Sequence, residues 1–158
     1  MDRRISLLVL FIAAAGASPV VAPAVSHADT TLVLFEHDTV QHQLDLGATG
    51  PSALDQFIFA GDVFDRPGGV FLGTAGGSCT TLSGTQSACN ATFSLAGGQI
   101  VVQGVADSAA LFEAGQAVPL DIVGGSGIYQ GARGDGTIQV PPDVPDQKDA
   151  NFVLNIVE

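Results

Sequence analysis

The sequence predicts an all-β domain of eight short antiparallel strands, which close as an up-and-down barrel or pack as a sandwich. Three observations carry this. Apolar runs rich in Val, Ile, Phe and Thr recur along the chain, and glycine, with 20 residues, falls at their ends. Beyond residue 28 there is almost no helical periodicity. The turns between runs are short, as consecutive antiparallel strands require.

In chain order, the first element is a leader. Arg3 and Arg4 precede an apolar run from Ile5 to Ala15, and small residues and prolines follow as far as Ser26-His27-Ala28. This is the pattern of a secretory signal peptide cleaved after Ala28, giving a leader of residues 1–28 and a domain of residues 29–158. The alternative is a membrane anchor, because Ile5 to Val25 nearly reaches spanning length. Pro19, Pro23 and the small-residue end favour cleavage. Arg3-Arg4 also resembles a twin-arginine signal, so the export route, Sec or Tat, stays open. The expected location is secreted or extracytoplasmic, with no membrane association after leader removal.

The strands then follow. The first is Thr31 to His37, and Gln41 to Gly50 is an irregular or short-strand excursion before the turn at Gly47 to Ser52. The second, Asp55 to Phe64, ends in the turn Asp65-Arg66-Pro67-Gly68-Gly69. The third, Val70 to Leu82, is expected to break at Gly76-Gly77. Ser83 to Ser87 makes a hairpin into the fourth, Ala88 to Leu95, and Gly97-Gly98 leads into the fifth, Gln99 to Ala106. Ser108 to Ala117 is a loop or a single helical turn. The sixth is Val118 to Val123, and Gly124 to Gly131 is a glycine-rich connection. The seventh is Arg133 to Val140. After a polar, proline-containing loop the eighth is Asn151 to Val157. A barrel leaves no open sheet edge, and with eight strands its interior is just wide enough for one small ligand.

Side-chain alternation assigns faces. In the fifth strand Ile100, Val102 and Gly104 oppose Gln99, Val101, Gln103 and Val105. In the eighth Phe152, Leu154 and Ile156 oppose Asn151, Val153 and Asn155. Both faces carry apolar groups, so part of the outer face is either buried between subunits, as a dimer or trimer, or ordinarily exposed.

Charge excludes some functions. After the leader only Arg66, Arg133 and Lys148 are basic, against fifteen of the sixteen acidic residues. A net charge near −12 repels nucleic acid and anionic membranes. Neither is an expected partner. Cys79 and Cys89 are expected to pair in an exported domain, across the predicted hairpin. A reactive thiol or a metal ligand is the other reading. No metal or cofactor is expected: His37 and His42 lie five apart, and there is no Cys-x-x-Cys spacing. The run Gly124-Gly125-Ser126-Gly127 lacks the lysine and helix of a phosphate loop. Asn90-Ala91-Thr92 is a glycosylation sequon.

The most distinctive stretch is Val118-Pro-Leu-Asp-Ile-Val-Gly-Gly-Ser-Gly-Ile-Tyr-Gln-Gly-Ala-Arg-Gly134. It resembles the glycine-rich signature shared by allene oxide cyclases and dirigent proteins. Asp55-Gln56-Phe57 through Gly61-Asp62, and Gly98 to Gly104, resemble two further pieces in the same order. The resemblance implies a closed eight-stranded barrel, commonly trimeric, with a cavity for a small hydrophobic molecule along its axis. It implies an isomerase or cyclase that holds a reactive molecule in one conformer, steering its cyclisation or coupling and lowering the entropic barrier to ring closure. By the same resemblance Glu36 and Asp38, in Leu34-Phe35-Glu36-His37-Asp38, match an interior glutamate and a water-binding position. Asp62 and Asp135 match acidic positions of dirigent barrels, Tyr129 and Arg133 are candidates to contact a ligand, and Cys79 matches a cysteine near the cyclase cavity. The chain departs from the cyclases after Gly104, where Val105-Ala106 stand in place of an aromatic. The other readings are a non-catalytic carrier and a structural barrel filled by its own side chains.

Overall fold

The computed structural model describes residues 30–143 and 145–157. The leader of residues 1–28, its cleavage site and the membrane-anchor alternative all lie outside the described residues. Eight strands form one closed antiparallel barrel in chain order, with the last paired to the first. They are β1 (Thr30–Leu44), β2 (Gln56–Phe64), β3 (Phe71–Ser83), β4 (Gln86–Leu95), β5 (Gly98–Asp107), β6 (Val118–Gly127), β7 (Arg133–Gln139) and β8 (Asp149–Val157). The barrel alternative holds and the sandwich does not, because β8 closes on β1 from Thr30↔Ile156 to His37↔Asp149.

Three elements depart from the expected bounds, each for a local reason. β1 runs seven residues past His37, because a bulge at Thr39 restarts the ladder: Asp38 pairs with Gly61 and Val40 with Ala60. The extra residue switches the inward face from Leu34, Glu36 and Asp38 to Gln41 and Gln43. β3 does not break at Gly76-Gly77. Gly77 is there because a Cβ would collide with the Asn90 carbonyl of the neighbouring strand, and would also come within 2.8 Å of the Phe59 ring's Cζ. β6 continues through Gly124-Gly125-Ser126-Gly127, pairing with β5 down to Gly127↔Gly98. The turn is therefore shorter than predicted, and Gly127 closes it at φ +65°.

The interior follows from alternation. Phe93, Ile100, Val102, Phe152, Leu154 and Ile156 are almost fully enclosed, while Val105 on the opposite face is 57% exposed. Phe93 and Phe152 meet edge to face at 4.9 Å. This packing fills the end of the barrel bounded by the β2–β3, β4–β5 and β6–β7 turns. The other end is bounded by the β1–β2 loop, the Gly84-Thr85 turn, the β5–β6 connection and the β7–β8 loop. There a five-residue π-helical turn, Ala109–Glu113, seats Leu111 against Ala106, Val118 and Val140.

Cys79 and Cys89 sit opposite one another on β3 and β4 and form a disulfide. The sequence separation of 10 closes a short loop, so the bond should contribute up to about 3 kcal/mol. A Cys79→Ala/Cys89→Ala variant is expected to unfold at correspondingly lower denaturant. An unchanged midpoint would show that the barrel holds this hairpin unaided.

On the outer face, Phe35, Phe64 and Phe71 stand side by side on adjacent strands, with centroids 6.5 and 5.9 Å apart, Phe35 buried, Phe64 half-buried and Phe71 exposed. Val33 and Val153 pair beside them. Among the described residues no helix is long and apolar enough to cross a membrane.

Candidate functional site

The filled end leaves the lumen open toward the other end. An inner chamber of about 60 Å³ is lined by Phe57, Phe59, Leu120, Phe152 and the Cys79–Cys89 bridge, with Glu36 and Asp38 in its wall. Outside it lies a more polar vestibule of about 440 Å³, bounded by side chains from the loops and from the bulged end of β1. The two share Phe57, Cys79, Phe112 and Gln147, which form the partition between them. Phe112 is carried by the π-helical turn and meets Phe57 edge to face at 6.2 Å. The Gln147 side-chain amide donates to the Phe112 carbonyl at 2.9 Å, tying the β7–β8 loop to that turn.

Glu36 is 2% exposed and Asp38 8%. Successive inward positions of one strand place them side by side. Gln41, turned inward by the bulge, donates from Nε2 to Asp38 Oδ2 at 2.9 Å. The same nitrogen reaches the Gln147 carbonyl at 3.2 Å. Among the described residues, Glu36 Oε1 and Asp38 Oδ1 are buried without a hydrogen-bond partner. Two ionised carboxylates so placed repel each other and lose their water. Burial, then the neighbouring Asp38 charge, then a hydrogen bond to Asp38 push the Glu36 carboxyl up to about 8. Burial raises Asp38 as well, while the hydrogen bonds from Gln41 and Glu36 oppose that rise. Glu36 is therefore the member of the pair that keeps its proton to about pH 8, and the hydrogen bonds from Gln41 and Glu36 favour charge on Asp38.

The other predicted residues lie elsewhere. Asp62 alternates with the inward Gly61 and Val63, so it lies on the outer face, opposite His37. His37 is also outside and bonds Asp149 through Nδ1 at 2.7 Å. Asp135 is exposed and accepts from Asn155 Nδ2 at 2.8 Å. Arg133 is exposed and donates to the Ala132 carbonyl. Tyr129 packs on the core at the filled end. None of these four lines the chamber or the vestibule. Among the described residues no cluster suits a metal ion.

Sequence reasoning did not single out Gln41, Phe57, Phe59, Phe112 or Gln147. The alternation Gln41-x-Gln43 after Asp38 was the available signal for the first. The others depend on where loops meet in space.

A small closed barrel with a carboxyl pair in an otherwise apolar lumen is the class this geometry defines. The chain belongs to the allene oxide cyclase barrel-like family, whose model matches residues 35–154. No curated protein sequence matches it significantly. Solved structures share the fold at low identity. A pyocyanin demethylase is 21% identical with TM-score 0.67, over 81% of this chain and 100% of that one. The Diels–Alderase AbmU from Streptomyces koyangensis is 20% identical with TM-score 0.68, over 82% of this chain and 64% of that one. A pterocarpan synthase dirigent protein is 18% identical with TM-score 0.63, over 89% and 93%.

Proposed function

We propose that this chain is an exported barrel that binds a small hydrophobic molecule and steers its cyclisation or rearrangement, with Glu36 as the acid. The observation that carries the reading is the enclosed, partly unpartnered carboxyl pair facing an apolar chamber. Such a pair is costly to bury, and it is useful where a proton must be offered near neutral pH. Protonated Glu36 polarises or protonates a substrate oxygen or π-bond, and ionised Asp38 steadies the positive charge that develops. The proton returns to the pair when the ring or double bond forms. The net change is then an isomerisation that needs no cofactor, while the phenyl walls limit the conformers available. The leader pattern and the Cys79–Cys89 disulfide support export. The exposed Val33, Phe71 and Val153 on the outer face support self-association, which sedimentation equilibrium would test. Asp62, Asp135, Tyr129 and Arg133 have no part in the proposal.

The small chamber favours one rival, a barrel filled by its own side chains, because ligand sites commonly hold about 300–1,000 Å³. Native mass spectrometry of the protein recovered from culture medium separates the two. A co-purified hydrophobic molecule supports binding. An empty barrel that also takes up none of a panel of polyketides, phenolics and fatty acids leaves the filled barrel.

Phe112→Ala should open the partition. Stopped-flow uptake of the neutral fluorophore N-phenyl-1-naphthylamine is expected to quicken several-fold, and an unchanged rate would place the gate elsewhere.

A further inference from the structure

The path into the barrel carries charge of one sign only. The vestibule is lined by amides and hydroxyls, from Gln41, Gln43, Ser52 and Ser108 among others, and by three acids, Asp55, Glu113 and Asp146. Among the described residues, neither the vestibule nor the chamber has a lysine, arginine or histidine in its wall. Lys148 lies next to the site in sequence, but its Nζ faces Asp146 at 4.0 Å. Asp55 stays ionised, because its carboxylate accepts backbone N–H bonds from Ser52, Gly47 and Leu46. At the inner end, Glu36 Oε1 and Asp38 Oδ1 are buried with no partner among the described residues. The Gln41 hydrogen bond at 2.9 Å favours negative charge on Asp38 there.

Apart from Lys148, which is paired with Asp146, an anionic ligand would meet no counter-charge among the described residues and would lose its hydration on entry. A ligand with an N–H or O–H donor would satisfy the orphaned oxygens, and a cationic one would also offset the charge. We infer that the site takes an apolar ring or chain bearing an amine or hydroxyl group, and that it excludes carboxylates. This rests on the proposed function, since it specifies the substrate class of that same cavity.

Three probes sharing one ring test it: 2-naphthylmethylamine, 2-naphthylmethanol and 2-naphthoate. The chain has no tryptophan and one tyrosine, so naphthalene fluorescence reads binding directly. At pH 7 the amine should bind tightest, and the carboxylate at least about tenfold more weakly than the alcohol. A Glu36→Gln/Asp38→Asn variant should bring the carboxylate within about threefold of the alcohol, because the inner negative charge is gone. A carboxylate that binds the unmodified protein as well as the alcohol overturns the inference while leaving the cavity proposal standing. Amine binding that never saturates at one site per chain also overturns it, since that is attraction to an acidic surface. Failure of all three probes to bind overturns the proposed function and this inference with it.

Discussion

Replacing Glu36 by glutamine is expected to abolish turnover, by about 10²–10⁴-fold, while leaving the barrel folded and more resistant to alkaline pH. Glutamine matches the protonated carboxyl in shape and can still donate to Asp38, so the cavity keeps its packing. It cannot release a proton. The stability effect follows from linkage. The native Glu36 carboxyl holds its proton up to about 8, against 4.5 for the ordinary group. Between those values the folded state binds the extra proton, so stability falls as pH rises, by about 1.4 kcal/mol per pH unit. The contribution is fully present below 4.5 and is lost by the time pH passes about 8. Denaturant titrations of both proteins at pH 5 and pH 9 read this. The unmodified protein should lose on the order of 3–5 kcal/mol more than the variant over that range. Parallel losses would mean that Glu36 titrates as an exposed carboxylate does.

The second large effect is in the filled end. Phe93 on β4 is fully enclosed and meets Phe152 of β8 edge to face across the lumen at 4.9 Å. Phe93→Ala should therefore cost about 3–5 kcal/mol, a third or more of the total for an ordinary small domain. The melting temperature should drop by roughly 10 °C or more. A loss under about 1 kcal/mol would show a loosely packed plug, and the lumen would then be open along its whole length.

How far the sequence could be read depended on whether the relevant rule was local. Alternation in β5 and β8 was enough to set Ile100 and Val102 on the face opposite Val105, and Leu154 and Ile156 on the face opposite Val153, because a regular strand obeys a strict period of two; which of the two faces is buried emerged only from barrel closure. The same rule, carried back from Val63, would have placed Asp62 on the outer face, and motif similarity pointed the other way. The Gly124-to-Gly127 run looked like a loop by composition, yet it continues β6, because a strand can pass through glycines wherever its neighbour supplies the ladder. β1 was cut short at His37 because the bulge at Thr39 breaks the alternation that marks a strand. That bulge brings Gln41 onto Asp38. Glu36 and Asp38 were legible as a pair on one face, but their partners were not. Phe112 and Gln147 reach the site from two loops 35 residues apart, and only barrel closure brings those loops together.

The protonation state of Glu36 is the centre of the account, and it can be observed directly. The measurement is a pH titration of the Glu36 side-chain carboxyl carbon by NMR, in protein carrying ¹³C-labelled glutamate and assigned with Glu36→Gln. This carbon is expected to keep the shift of a neutral acid through pH 7 and to titrate with a midpoint near 8. A midpoint near the ordinary 4.5 would contradict it, because Glu36 would then be a solvated carboxylate with no proton to give at neutral pH.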